Sequence, residues 1–309
     1  MASIPETQTK TFSISTKQRR KWLEWLSGYA FLAPSFIVLA VFTYFPVLYA
    51  LGISFFKWRI MRGDPVFNGL TNYQLLLTSE DFWQAVGNTI YFAVGSIPTG
   101  MAIALFIAIL LNRKMRGLSF YRTAYFLPTI TSMVAVSVVW MWIYHPDVGL
   151  MNYFLELFHL PAIRWLNDPR WAMPSLIILG IWKGVGYNII IYLAGLQNIP
   201  EQLYEAAEMD GANRWQLFRN VTWPLLTPTS FLILIMAVIN SFQAFTEFNV
   251  MTQGGPLGVT TTIVYYLYLQ AFQQFNMGYG SALAIVLFFI ILGLTLIQNK
   301  VIGPRVHYQ

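Results

Sequence analysis

The chain has 309 residues, of which 56% are hydrophobic and only 10% charged. Soluble domains carry roughly a quarter Asp, Glu, Lys and Arg, and so few charges cannot screen this much apolar surface around one soluble core. With 24 Phe, 17 Tyr and 11 Trp the chain is no disordered one, and with no Cys it holds no disulfide, thiolate metal site or Cys nucleophile. Three widely spaced histidines, His145, His159 and His307, make a poor metal set. What remains is an all-α integral membrane protein.

Residues 1–24 read as a polar tail, and 25–309 as a single transmembrane domain whose spans are marked by uncharged runs. Trp25 to Phe56 predicts a first span at 28–56, too long for a signal-peptide core. Phe82 to Asn112 predicts a second at 83–111, and Thr123 to Pro146 a third at 121–144. The fourth, 171–195, is interrupted only by Lys183, and the fifth lies at 222–246. After Glu247 no charge appears until Lys300, a stretch too long for one helix. Gly254-Gly255-Pro256 and the polar residues through Gly278 divide it, leaving a sixth span at 279–299.

Basic residues set the orientation. Lys10, Lys17, Arg19, Arg20 and Lys21 precede the first span; Arg113, Lys114, Arg116 and Arg122 lie in the second loop. Arg214 and Arg219 are in the fourth loop, and Lys300 and Arg305 in the tail. Thirteen of the 19 thus fall on one side, which places both termini in the cytoplasm. Lys57, Arg59, Arg62, Arg164 and Arg170 fall on the other side. Because the basic clusters adjoin spans, anionic headgroups and topology account for them, and no nucleic-acid partner is inferred.

The fourth loop differs from a short basic connector. Pro200 and Glu201 suit a first helical turn, and good helix formers follow as far as Met209. Gly211 predicts a break, and Asn213 to Asn220 a second short helix stopped by Pro224. Leu203, Ala206, Ala207 and Asp210 fall on one face, slim enough to dock in a groove.

Glu205-Ala206-Ala207, Gly211 and Pro224 have the spacing of the "EAA" loop, so the chain resembles the membrane subunits of binding-protein-dependent ABC importers. In that motif Val221 replaces an Ile and Trp223 a Leu. Phe120 to Pro128, Asp147 to Asn152, Trp182 to Asn188 and Thr252 to Pro256 resemble the sugar-permease branch. Within it the chain is similar to a short form of the maltose-permease first subunit, and to permeases for disaccharides and glycerol phosphate. The resemblance implies the type I ABC importer permease fold, in a bacterial inner membrane, with six helices and a cytoplasmic coupling loop. It implies as partners a second permease subunit in a heterodimer, two ATPase subunits and an extracytoplasmic substrate-binding protein. Glu205 would contact the ATPase, Ala206 and Ala207 allow close approach, and Gly211 make the turn before Pro224.

No Gly-x4-Gly-Lys-Ser/Thr loop occurs, so ATP and Mg are expected on the partner ATPase and no cofactor or metal on this chain. Polar groups inside spans are the substrate candidates. Lys183, the only Lys or Arg inside a span, is flanked by Gly184, Gly186, Tyr187 and Asn188. It would either meet a substrate hydroxyl or phosphate, or act as a strut paired with Glu247 or a partner acid. Asn240, Ser241, Gln243, Thr246 and Glu247 enrich the fifth span, and Asn240, Gln243 and Glu247 share a helical face by spacing. The resemblance puts Gly180, Lys183, Gly184, Tyr187 and Ser241 on sugar-site positions. Thr129, Thr131 and Ser132 align with a further contact region, where Thr129 stands for the family's Tyr and Met133 for its Ser. Tyr187, Phe242 and Phe245 could give a sugar its aromatic face. The outer loops 57–82, 145–170 and 247–278 would meet the binding protein. The implied function is import of a sugar or sugar-like solute, with glycerol 3-phosphate as the alternative. A secondary transporter would show repeats and ion-coupling acids, and a membrane enzyme a catalytic set; neither pattern is present.

Overall fold

A computed structural model of the chain describes residues 16–112 and 117–305. The tail residues 1–15, with Lys10, and the basic residues Arg113, Lys114 and Arg116 lie outside them. The N-terminal unit is one long helix: α1 (Thr16–Leu39) passes through a π-wound turn, Ala40–Tyr44, into α2 (Phe45–Ile53). Its most apolar part, Ser27–Ile53, has mean hydropathy 2.2, and none of it is buried.

The second unit begins with a feature absent from the all-α expectation, a two-stranded antiparallel ribbon of β1 (Phe56–Lys57) and β2 (Val66–Phe67). After α3 (Thr71–Thr78), Ser79 caps α4 (Glu80–Leu111) by accepting the Phe82 N–H, and Glu80 and Asp81 sit at the positive end of the dipole. The chain then forms α5 (Leu118–Ile130), α6 (Met133–Ile143), α7 (Leu150–Leu157) and α8 (Ala172–Gln197). Next come α9 (Glu201–Met209), α10 (Arg214–Leu217), α11 (Trp223–Leu225) and α12 (Thr227–Phe242). The last helices are α13 (Ile263–Tyr268) and α14 (Met277–Val301).

Among the described residues four helical stretches are long and apolar enough to cross a membrane, and two bent pairs bring the number to six. The bends correct two predicted spans. The third is no straight 121–144 helix: α5 and α6 meet at 109°, because Thr131 and Ser132 take extended dihedrals just after Pro128. The fifth bends by 61° before α12, where Leu226 opens to ψ −4° and Pro228 has no N–H to give the Pro224 carbonyl, and it ends at Phe242 rather than 246. Nor does Pro224 stop the preceding helix. The winding widens to a π turn over Phe218–Thr222, which relieves the clash of a helical proline with the carbonyl four residues back.

α4 and α8 run parallel and form the frame. Phe92 packs with Met173, Leu176 and Leu179 near their N-terminal halves; Ala104, Ala108 and Leu111 pack with Ile189, Tyr192 and Leu196 near their C-terminal halves. A third cluster joins the start of α4 to α13 and α14 through Phe82, Ala85, Ile263, Tyr266 and Leu283. The predicted charge-free outer loop is therefore a packed element. The Asn88 side chain donates to the Gly258 and Thr261 carbonyls, both at 2.9 Å, and the Ile263 N–H to Thr89 Oγ1 at 3.0 Å.

α5 lies so close on α8 that a Cβ at Gly186 would fall on the Tyr125 carbonyl oxygen and 2.8 Å from Thr129 Oγ1. Gly186→Ala is expected to cost roughly 1–3 kcal/mol, as overpacking does, and to lower the thermal denaturation midpoint of the purified protein. Gly87→Ala, where a Cβ meets nothing within 4 Å, is the matched control. Equal midpoints for the two variants would refute the close contact.

Candidate functional site

Gly180, Lys183, Gly184, Tyr187 and Asn188 recur along α8 at i, i+3, i+4, i+7 and i+8, which is one stripe of a helix. α4 faces them with Phe92, Ser96 and Gly100, one residue per turn. Thr129 and Met133 flank the α5–α6 break, and Met236, Asn240 and Ser241 come from α12. With Glu247 these residues enclose a cavity of about 510 Å³ at the middle of α4 and α8. Such a cavity is in the size range of small-molecule sites and at the depth where transporters hold their substrates.

Eight of the nine predicted substrate residues line this cavity: Thr129, Gly180, Lys183, Gly184, Tyr187, Asn240, Ser241 and Glu247. Gln243 does not. It sits exposed in the turn that ends α12, so the predicted common helical face of Asn240, Gln243 and Glu247 does not exist. Phe242 and Phe245 are also elsewhere. Phe242 is in the core beside α13 and α14, and Phe245 packs against Tyr265 and Tyr268. The aromatic walls are Tyr187 and Phe92. Phe92 and Ser96 were not singled out from sequence, although their i, i+4, i+8 spacing with Gly100 carried the signal.

Lys183 is bound at the helix break. Its ammonium donates to the carbonyls of Pro128 and Thr131, and to that of Thr129 at 3.2 Å. These are the end of α5, where carbonyls lack helical partners and the dipole is negative. Lys183 thus acts as a strut, but not through an ion pair with Glu247: among the described residues the two make none. Glu247 is 8% exposed and borders the cavity, and Thr129 Oγ1 is buried without a hydrogen-bond partner. Thr131 and Ser132 are exposed at the bend, and the Thr131 hydroxyl donates to the Pro128 carbonyl at 2.7 Å. No group of three or more His, Asp or Glu is gathered as a metal site among the described residues.

The fourth loop forms two short helices. α9 ends before Gly211, whose φ of +83° is a left-handed conformation that glycine adopts without strain. Asn213 then starts α10 with a reciprocal capping box to Gln216. Tyr204 and Ala207 are half-buried, and the Tyr204 hydroxyl is 3.1 Å from Thr222 Oγ1. Of the predicted docking face, Ala207 is thus the half-buried member. Leu203, Glu205, Ala206 and Met209 remain exposed on α9, and Trp215, 66% exposed, continues the surface on α10. Pro224 is half-buried inside α11. In the predicted outer loop 145–170, buried Asn152 donates to Pro146 and Ile163 carbonyls and accepts from Ile163 N–H and Trp165 Nε1, which ties that segment into a fixed shape.

Residues 96–308 match the family described as binding-protein-dependent transport system inner membrane component. The chain is 33% identical over 284 residues to the sn-glycerol-3-phosphate transport system permease protein UgpA of Brucella abortus, covering 91% of this chain and 96% of the relative. It is 34% identical over 278 residues to the arabinooligosaccharides transport system permease protein AraP of Bacillus subtilis, covering 89% and 88%. Among solved structures, a chain of a bacterial alginate ABC transporter in complex with an alginate pentasaccharide-bound periplasmic protein superposes with TM-score 0.78 at 27% identity, covering 91% of this chain and 94% of that one.

Lys183→Met removes the ammonium donor from three carbonyls at the end of α5, of which Pro128 keeps the Thr131 hydroxyl, at about 1–3 kcal/mol for each one left unpaired. The expected result is a lower denaturation midpoint of the purified protein, partly restored in Lys183→Arg. A Lys183→Met protein as stable as the wild type would remove the strut assignment.

Proposed function

The chain belongs to the family of binding-protein-dependent transport system inner-membrane components, a family of transport subunits rather than enzymes, and from that membership we propose that it forms part of the pathway of an ATP-driven importer for a sugar or sugar-like solute. The observation that carries the solute class is the mid-span cavity, whose walls combine Asn188, Asn240, Ser96, Ser241 and Thr129 with the ring of Tyr187. Amides and hydroxyls pair with sugar hydroxyls, and an aromatic face covers the apolar side of a pyranose. The names of the relatives support the same class: one serves arabinooligosaccharides, another glycerol 3-phosphate, and the structural neighbour is an alginate transporter.

In this reading an extracytoplasmic binding protein delivers the solute to the side bearing α7 and α13. Two ATPase subunits act at the opposite side, where both termini lie, and a second permease subunit completes the pathway. ATP and Mg belong to the ATPases. The exposed face of α9, with Glu205 and Ala206, would sit in a cleft of one ATPase, and Gly211 would set its angle to α10. ATPase closure then displaces α9 as a rigid body and rocks the helices joined to it.

Glu205→Lys reverses a charge on the exposed face, and Gly211→Pro demands a φ near −65° where +83° is needed. Both are expected to abolish ATP-driven uptake in proteoliposomes while the subunit still inserts. Normal uptake by either variant, assembled with its ATPase, would overturn the coupling role.

A further inference from the structure

The sugar reading leaves open whether the solute is neutral or anionic, a choice that rests on the charged groups of the cavity wall. The wall contains two ionisable groups capable of charge at neutral pH, Lys183 and Glu247. An ammonium has three N–H donors. On Lys183 these are matched by three carbonyls at the end of α5, from Pro128, Thr129 and Thr131. Those carbonyls are the negative end of a helix dipole, so they offset the ammonium charge as well as occupy its donors. No donor of Lys183 is left for a phosphate or carboxylate.

Glu247 is in the opposite condition. It follows the break after α12, borders the cavity and is 8% exposed. Among the described residues its carboxyl has no ion pair, and its hydrogen bonding is to its own backbone. A buried carboxyl held only by its own backbone keeps acceptor positions that something else in the site must complete. Its neighbours across the cavity are neutral: Asn188, Asn240, Ser96, Ser241 and Tyr187. Thr129 Oγ1 also lacks a partner. A carboxyl beside amide and hydroxyl side chains, one of them the unpaired Thr129 hydroxyl, suits a ligand that brings hydroxyl donors. No cation in the wall is left to balance an anionic group on the ligand.

We propose that the cavity selects an uncharged saccharide or polyol, that Glu247 accepts hydrogen bonds from its hydroxyls, and that anionic solutes are excluded because Lys183 is already consumed by the α5 carbonyls. The proposal rests on the importer reading given above and narrows it. It separates this chain from the relative that serves glycerol 3-phosphate.

The test uses the complete importer in proteoliposomes, with its binding protein outside and ATP inside. A neutral panel (maltose, cellobiose, raffinose, arabinotriose, sorbitol) is compared with an anionic one (sn-glycerol 3-phosphate, glucose 6-phosphate, digalacturonate). ATP-dependent uptake from the neutral panel alone is expected. Glu247→Gln is expected to reduce that uptake about tenfold or more, the loss of one or two hydrogen bonds to the carboxyl. The Glu247→Gln complex should still purify in wild-type yield with an unchanged denaturation midpoint, which a merely structural role would not allow. Uptake of an anionic solute at a rate comparable to the neutral ones would overturn the proposal and leave the importer reading standing. So would Glu247→Gln uptake within twofold of wild type. Uptake from neither panel, by an assembled importer with active ATPases, would overturn the sugar reading itself.

Discussion

A helix that breaks inside a membrane exposes carbonyls where no water can reach them, so donors must come from the protein. The end of α5 is such a break, and the Lys183 ammonium of α8 supplies the donors. Much of the second unit depends on that contact. It allows the chain to turn by 109° into α6, and α6 in turn carries Val136, Trp140 and Tyr144 into the cluster around Met173 and Leu179. Trp140 meets Trp182 edge-on, one residue before Lys183. Gly186, one turn further along α8, is the complementary condition, since α5 could not approach if a side chain stood there.

The cavity follows from where helices part. α4 and α8 stay in contact along their length through clusters at both ends, and small residues on α8 leave space between them and α12 at the middle. α12 stops at Phe242, and the chain then places Glu247 against the space it has vacated. Had the fifth span continued as a straight helix to 246, the carboxyl would have been set by helical periodicity alone. The break frees Glu247 from that spacing, and it turns Gln243 outward.

Much of this was legible in the sequence because charge is expensive in lipid. Uncharged runs located the spans, and the Gly-Lys-Gly-Tyr stripe of α8 was visible as the one place where a cation was tolerated. The EAA spacing marked the loop, and Gly211 its turn. The bends were not legible. Thr131 and Ser132 lie within an apolar run that satisfies every length criterion for a span, and only tertiary contacts decide that it folds in two. The π turn that accommodates Pro224 is equally a property of packing, as is the inward fold of residues 254–268, whose polar atoms find partners on Asn88 and Thr89. Loop composition alone reads as exposure, and here it concealed a core element.

Geometry also explains how a push at one end of this chain could reach the cavity. α8 leads directly into α9 through Ile199, which is buried with Leu196 and Leu226, and α12 begins just after the coupling loop closes. The loop is thus spliced between two cavity-lining helices. Tyr204 on α9 joins Thr222 on the return path, so the two arms of the loop are linked to each other before they reach the bundle. A displacement of α9 cannot be absorbed by a slack connector and must be shared by α8 and α12. Lys183 extends the chain of contacts, because moving α8 moves the carbonyls of α5 that the ammonium holds. The strut thus ties the α5 side of the cavity wall to the helix that leads into α9.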